Sequence, residues 1–174
     1  MPSNQTLDEG NDDQVFWSFT ALDAAELKFP APPAGSPSWI AMAQAVFNTQ
    51  AARWDESTCG GGLRWQVYQV NAGYNYKNVA ANGGFFQLAS RLARYTGNET
   101  YSQWAEKAWD WFETSVLYDE ATFTVFDGTN DEQNCTSADH TQWSYNYGLY
   151  MNGLAYLYNH VSSALAIDDA KALR

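Results

Sequence analysis

Apolar residues recur with helical spacing in five stretches of this chain. Val15, Phe16, Phe19, Leu22, Ala25 and Leu27 predict a helix over about 13–29. Pro30, Pro32 and Pro33 end it, because proline supplies no amide N–H to a helix interior. Ser38 reads as the N-cap of a second helix, with Trp39, Met42, Ala43, Val46 and Phe47 on one stripe. A third, about 79–95, carries Phe85, Phe86, Leu88, Ala89, Leu92 and Ala93 and stops at Gly97. The fourth spans about 100–115, with Tyr101, Trp104, Ala105, Ala108, Trp109 and Phe112. The fifth spans about 142–161, with Tyr147, Leu149, Tyr150, Leu154 and Leu157. Strand content reads as minor, confined to 122–126.

Short turns join helix one to two and three to four. Connections of about 25 residues separate two from three and four from five, and loops that long in a compact domain are usually functional. Helix starts near 13, 79 and 142 give a period of roughly 64 residues, so the chain reads as a repeat of helical hairpins. This alternation puts each long connection at the same end of the array. The expected fold class is all-α, a solenoid or a closed α/α toroid of which two and a half hairpins are present.

Composition narrows the function. The 174 residues carry 20 acidic and 9 basic side chains, a net charge of −11, which excludes a phosphate-backbone partner and hence nucleic acid. An apolar content of 45% excludes a disordered acidic tail. No apolar run is long enough to span a bilayer. Eight Trp, eleven Tyr and nine Phe exceed what a core of this size needs and suit stacking on sugar rings. Sequons at Asn4, Asn98 and Asn134 suggest a secretory route, with Asn98 and Asn134 the candidate glycosylation sites. Residues 1–6 have no signal-peptide pattern, so a piece of a longer precursor is expected. Cys59 and Cys135 are either one bridge or two free thiols, and spacing leaves both open.

Asn11-Asp12-Asp13-Gln14 opens the first helix. Neighbouring carboxylates resist ionising together, and splitting the acidity of such a pair is how glycosidases obtain an acid and a nucleophile at one pH. Asp-Asp is equally an ordinary helix start. The loop Arg53-Trp54-Asp55-Glu56-Ser57-Thr58-Cys59-Gly60-Gly61-Gly62-Leu63-Arg64-Trp65-Gln66 offers the Arg64 donor fork and Trp65 as a sugar platform, or Trp65 merely as loop packing. Asn78 and Asn82, with Lys77, stand at the entrance of helix three and suit hydroxyl recognition, or Asn78 is only a cap. Asp127, Trp143 and Tyr145 add polar and aromatic groups at the same end. His140 and His160 read as lone exposed histidines with no metal-ligand spacing, so no metal site is proposed.

These motifs, together with Phe16-Trp17, Ala43-Gln44-Ala45-Val46-Phe47-Asn48, Tyr76-Lys77-Asn78, Ala93-Arg94-Tyr95-Thr96-Gly97 and Gln142-Trp143-Ser144-Tyr145-Asn146, resemble glycoside hydrolase family 76. Its fungal branch, the cell-wall mannan endo-1,6-α-mannosidases, is the most similar. The resemblance runs over about 11–161 and implies a partial (α/α)6 toroid, with 1–10 an overhang of a truncated domain and 162–174 a divergent tail. It implies retaining cleavage of α-1,6-linked mannan, or glycosyl transfer in wall assembly, with no cofactor. Asp12 would be the nucleophile and Asp13 the general acid/base. Arg64, Trp65, Asn78, Asn82, Asp127, Trp143 and Tyr145 would bind substrate. The implied partner is α-1,6-mannan or a GPI-glycan-type mannoside, at the membrane or wall for full-length relatives, which places the protein outside the cell. A non-catalytic mannan-binding remnant, or an inactive fragment of such an enzyme, is the competing expectation.

Overall fold

The structure is a computed structural model that describes residues 9–172, with side chains as far as Ser162. Five helices dominate: α1 (Asn11–Glu26), α2 (Trp39–Ala52), α3 (Val79–Thr96), α4 (Glu99–Thr114) and α5 (Ser144–Ala172). α1 pairs with α2 and α3 with α4 as hairpins. α3 also touches α1, α2 and α5, so it sits at the centre of the array.

The sequence of α3 explains that position. Every residue from Val79 to Ala93 is buried, which requires small side chains on the faces turned to neighbouring helices. A Cβ on Gly84 would lie 2.4 Å from Val15 of α1, and one on Gly83 would lie 3.0 Å from the Tyr150 ring of α5. Phe85 stacks on Phe47 of α2 at 5.4 Å, and Phe86 on Tyr150 at 5.4 Å. The surplus aromatics therefore build much of the core. They also leave two uncovered flanks: Trp17 on α1 is 68% exposed, and Met151 and Tyr158 on α5 are 70% and 73% exposed.

Helix ends differ from expectation for local reasons. α1 stops at Glu26 rather than at residue 29, because Lys28 takes the left-handed φ of 56°. Lys28 N–H then donates to Ala25 O at 3.2 Å and Phe29 N–H to Ala24 O at 2.8 Å, a Schellman closure that satisfies the last carbonyls. α5 begins at Ser144 and runs on to Ala172, past the expected end at Val161 and through most of the expected tail. Asn98 caps α4, its side chain accepting from Thr100 N–H at 3.0 Å.

Strand content exceeds the single short strand expected. β1 (Tyr76–Asn78), β4 (Gly128–Asn130) and β5 (Ala138–Asp139) form an antiparallel sheet in the order β1-β4-β5, with Lys77 opposite Thr129. β2 (Tyr118–Asp119) and β3 (Thr124–Val125) form a separate hairpin. The three-stranded sheet joins the first long loop (53–75) to the second long connection (115–143). A Cys59–Cys135 disulfide makes the same junction, with Cα atoms 5.5 Å apart.

Candidate active site

The long connections gather where α1, α3 and α5 begin, and the first loop is fastened there through Asn11. Asn11 is 1% exposed; its amide N–H donates to Trp65 O at 2.8 Å and its Nδ2 to Arg64 O at 2.8 Å. Gln50 Nε2 donates to Asn11 O at 2.6 Å, tying the junction to α2. Trp65 N–H in turn donates to Tyr76 O at 2.7 Å, so Trp65 is held between α1 and β1. Its ring sits where Gly73 leaves space, since a Cβ there would lie 2.4 Å from the indole.

From this seat the Trp65 side chain favours the charged form of the Asp12 carboxyl. Burial raises the Asp12 pKa above the ordinary carboxylate value, and the neighbouring Asp13 charge raises it further. The Asp13 amide N–H, donating to Asp12 Oδ1 at 3.0 Å, and the Trp65 indole oppose that rise. Asp13 is exposed, and its Oδ2 accepts from Gly10 N–H at 3.0 Å as the reciprocal half of a helix cap. Gly10 matters for space: a Cβ there would lie 2.3 Å from Asp12 Oδ1 and 3.0 Å from Asp13 Oδ2. With both oxygens that close to one point, their separation does not exceed the roughly 5–5.5 Å that retaining glycosidases use.

Asp127 and Tyr145 complete the surface. Tyr76 O–H donates to Asp127 Oδ2 at 2.8 Å, and burial together with that carboxylate pushes the Tyr76 phenol far above its usual range. The contact requires Gly128, where a Cβ would lie 2.4 Å from the Tyr76 ring. Burial first, then the charges of Asp127 and Asp12, raise the Tyr145 pKa. Tyr145 therefore lies within electrostatic reach of both carboxylates, which sets the starts of α1 and α5 and the second connection on one face. Trp143, 47% exposed, stands just before α5.

Three expected binding residues are committed elsewhere. Arg64 is a clamp: it bonds the Asp131 carboxylate, the Asp55 carboxylate at 2.8 Å and Tyr74 O at 3.3 Å, with its guanidinium 4.7 Å from the Tyr74 ring centroid. Asn78 caps α3, accepting from Ala81 N–H at 3.2 Å. Asn82 is wholly buried; it accepts from Leu63 N–H at 2.7 Å and donates to Leu63 O and Asn78 O, both at 2.9 Å. Both amides shape the loop. His160 is also corrected: it is 7% exposed and lies 3.4 Å from Glu99. Asn98 and Asn134 are exposed, while Asn4 lies outside the described residues. Among the described residues no group of three or more His, Cys, Asp or Glu is arranged to hold a metal ion.

Helical hairpins whose long connections gather at one end are the architecture of α/α toroids, and similarity to known proteins identifies the family. The profile of glycosyl hydrolase family 76 matches residues 1–171, and the chain belongs to that family. It is 52% identical over 166 residues to mannan endo-1,6-alpha-mannosidase DCW1 of Saccharomyces cerevisiae, covering 95% of this chain and 37% of that protein. It is 51% identical over 160 residues to DFG5 of the same yeast, covering 91% and 35%. The crystal structure of Dfg5 from Chaetomium thermophilum in complex with glucosamine superposes at a TM-score of 0.89 with 49% identity, over 98% of this chain and 42% of that one. The family 76 mannosidase Bt3792 of Bacteroides thetaiotaomicron gives 0.71 at 22% identity, over 93% and 44%, a likeness of fold. The fold is thus part of an (α/α)6 toroid, and the chain spans 37% of the length of the yeast relative DCW1.

Proposed function

We propose that the surface around Asp12 and Asp13 is the catalytic part of a retaining, endo-acting glycosidase that cleaves α-1,6-linked mannan or transfers the glycosyl unit to an acceptor. One observation carries this reading: two carboxylates converge over Gly10 at the end of the array where the long loops meet, and the acidity of Asp12 is weakened by burial and by its neighbour. The names of the yeast relatives supply the substrate class.

In this scheme Asp12, oriented by the Asp13 amide and the Trp65 indole, attacks the anomeric carbon while Asp13 protonates the departing glycosidic oxygen. Asp13 then removes a proton from water or an acceptor hydroxyl, which displaces the Asp12 carboxylate. Trp65, Asp127, Trp143 and Tyr145 are the substrate-binding groups. Asp127, held by Tyr76, accepts from sugar hydroxyls, and the half-exposed Trp143 and Tyr145 offer stacking faces. The working site is outside the cell, at the surface or wall, with mannan or a GPI-glycan-type mannoside as partner. The disulfide and the exposed sequons at Asn98 and Asn134 suit that compartment.

Release of manno-oligosaccharides from α-1,6-mannan tests the proposal. Asp13→Asn lowers turnover by about 10²–10⁴-fold, the usual contribution of a general acid/base, and Asp12→Asn abolishes it. Turnover that persists in both variants rules the reading out. The raised Asp12 pKa favours a second reading, in which the roles of the two carboxylates are exchanged. Azide with an activated aryl α-mannoside decides between them through the configuration of the mannosyl azide: the acid/base variant gives the retained α-azide and the nucleophile variant the inverted β-azide, so the first assignment predicts α-azide from Asp13→Ala and β-azide from Asp12→Ala.

A further inference from the structure

Period-two alternation along β1 sends Tyr76 and Asn78 to one side and Lys77 to the other. Tyr76 reaches Asp127 and Asn78 caps α3, so the intervening lysine points away from the sugar-facing surface. Lys77 is 0% exposed and is among the largest fully buried side chains. Its ammonium donates to three backbone carbonyls of the first loop: Asp55 O at 2.9 Å, Thr58 O at 2.8 Å and Gly61 O at 2.6 Å. These use all three of its donors. The Asp55 carboxylate lies 3.3 Å away and balances the charge.

The loop is shaped around that ammonium. Cys59, Gly60 and Gly61 all have positive φ, at 56°, 67° and 144°, a tight turn that leaves the Thr58 and Gly61 carbonyls facing the ammonium while Cys59 O accepts from the Trp111 indole at 3.0 Å. A Cβ on Gly61 would lie 3.0 Å from Trp111 and 3.1 Å from Trp54, so only glycine lets the loop close. Asp55 is a member of the cage through its carbonyl and also holds Arg64 through its carboxylate. From Gly61 the chain passes through Leu63, fixed by Asn82, to Trp65, whose carbonyl accepts from Asn11 N–H at 2.8 Å and whose side chain favours the Asp12 carboxylate.

We propose that Lys77 is a positioning residue, an internal cation whose carbonyl cage orders 55–65 and thereby seats Trp65 at the start of α1, beside Asp12. The cage is a site for a primary ammonium ion, and the protein fills it with its own side chain. The inference rests on the functional reading only in calling Asp12 catalytic, because the test reads the Asp12 carboxyl itself and needs no turnover. Asp12 faces the Asp13 carboxylate, the Trp65 side chain and the Tyr145 phenol. Those around Lys77 are Asp55, Arg64 and Asp131.

The test is carbon-13 NMR titration of labelled aspartate carboxyls in the 174-residue chain, with nitrogen-15 detection of the Trp65 indole. In Lys77→Ala the Asp12 midpoint moves up, because the indole no longer favours the carboxylate, and the Trp65 N–H resonance shifts. Methylammonium chloride restores both, whereas tetramethylammonium chloride at equal ionic strength restores neither, being too large for the cage and without an N–H. An unmoved Trp65 resonance alongside a lower melting temperature overturns the proposal and leaves Lys77 a structural residue. Gly61→Ala, which disturbs the cage without changing charge, moves the same two signals in the same directions. If Lys77→Ala does not fold, the Gly61→Ala result alone decides, and unmoved signals there overturn the proposal equally.

Discussion

Replacing Arg64 with methionine distinguishes a clamp from a substrate ligand. The guanidinium joins Asp55 of the first loop to Asp131 of the second connection, and it is only 15% exposed. After Arg64→Met, Asp55 keeps Ser57, Thr58 and Lys77 as partners. Asp131, 8% exposed, loses the cation bonded to its carboxylate. Breaking one side of a buried pair costs about 3–5 kcal/mol, and the residual exposure of Arg64 places this case near the lower end, at about 3 kcal/mol. Adding Asp131→Asn removes the stranded charge and recovers part of the loss, so a double-mutant cycle gives a coupling energy of about 2 kcal/mol. Urea denaturation of the four proteins at neutral pH, with the disulfide intact, measures it. A loss below about 0.5 kcal/mol, the range of ordinary surface substitutions, refutes the clamp and returns Arg64 to the substrate.

Other consequences can be checked in parallel. Gly84→Ala forces a Cβ to within 2.4 Å of Val15 and costs about 1–3 kcal/mol despite the better helix propensity of alanine; shortening the neighbour with Val15→Ala makes the glycine replacement less costly, as read from melting curves of the pair. Because the folded state raises the Asp12 pKa above its unfolded value, the folded state holds that proton more tightly and stability on this account rises as pH falls toward the unfolded pKa. Asp12→Asn is accordingly more stable than the parent at neutral pH, and the advantage shrinks in denaturation curves taken near pH 4. Replacing Cys59 and Cys135 together by serine loses about 2–4 kcal/mol, since the closed loop is long and joins both site-bearing connections.

The helices were legible because each carries a long apolar stripe, and the ends that moved did so for reasons periodicity does not encode. Lys28 adopts a backbone conformation that glycine usually supplies, so nothing in its residue type marked the end of α1. The central sheet was invisible: Tyr76–Asn78, Gly128–Asn130 and Ala138–Asp139 are too short and too polar for an alternation signal. Site residues divided along the same line. Asp12, Asp13 and Trp65 stood out through composition and resemblance, and the structure draws them together. Arg64, Asn78 and Asn82 share the polar character of sugar ligands, yet Arg64 and Asn82 spend their side-chain bonds on loop closure and Asn78 spends its side-chain oxygen on the α3 cap. Residue type shows what a group can bond; only the fold shows whether that capacity is already satisfied. Gly10 and Asn11, which set the geometry of the pair, carry no chemical signal apart from their place before it.

The central claim is that Asp12 and Asp13 act in turn on one anomeric centre, and the configuration of the first product tests it most directly. Proton NMR of α-1,6-mannan during the first minutes of reaction resolves the new reducing end before mutarotation mixes the anomers. The α-anomer appearing first, with the β form growing in later, is the predicted result of two successive displacements. A β-anomer as the initial product would mean a single displacement by water and would contradict the account.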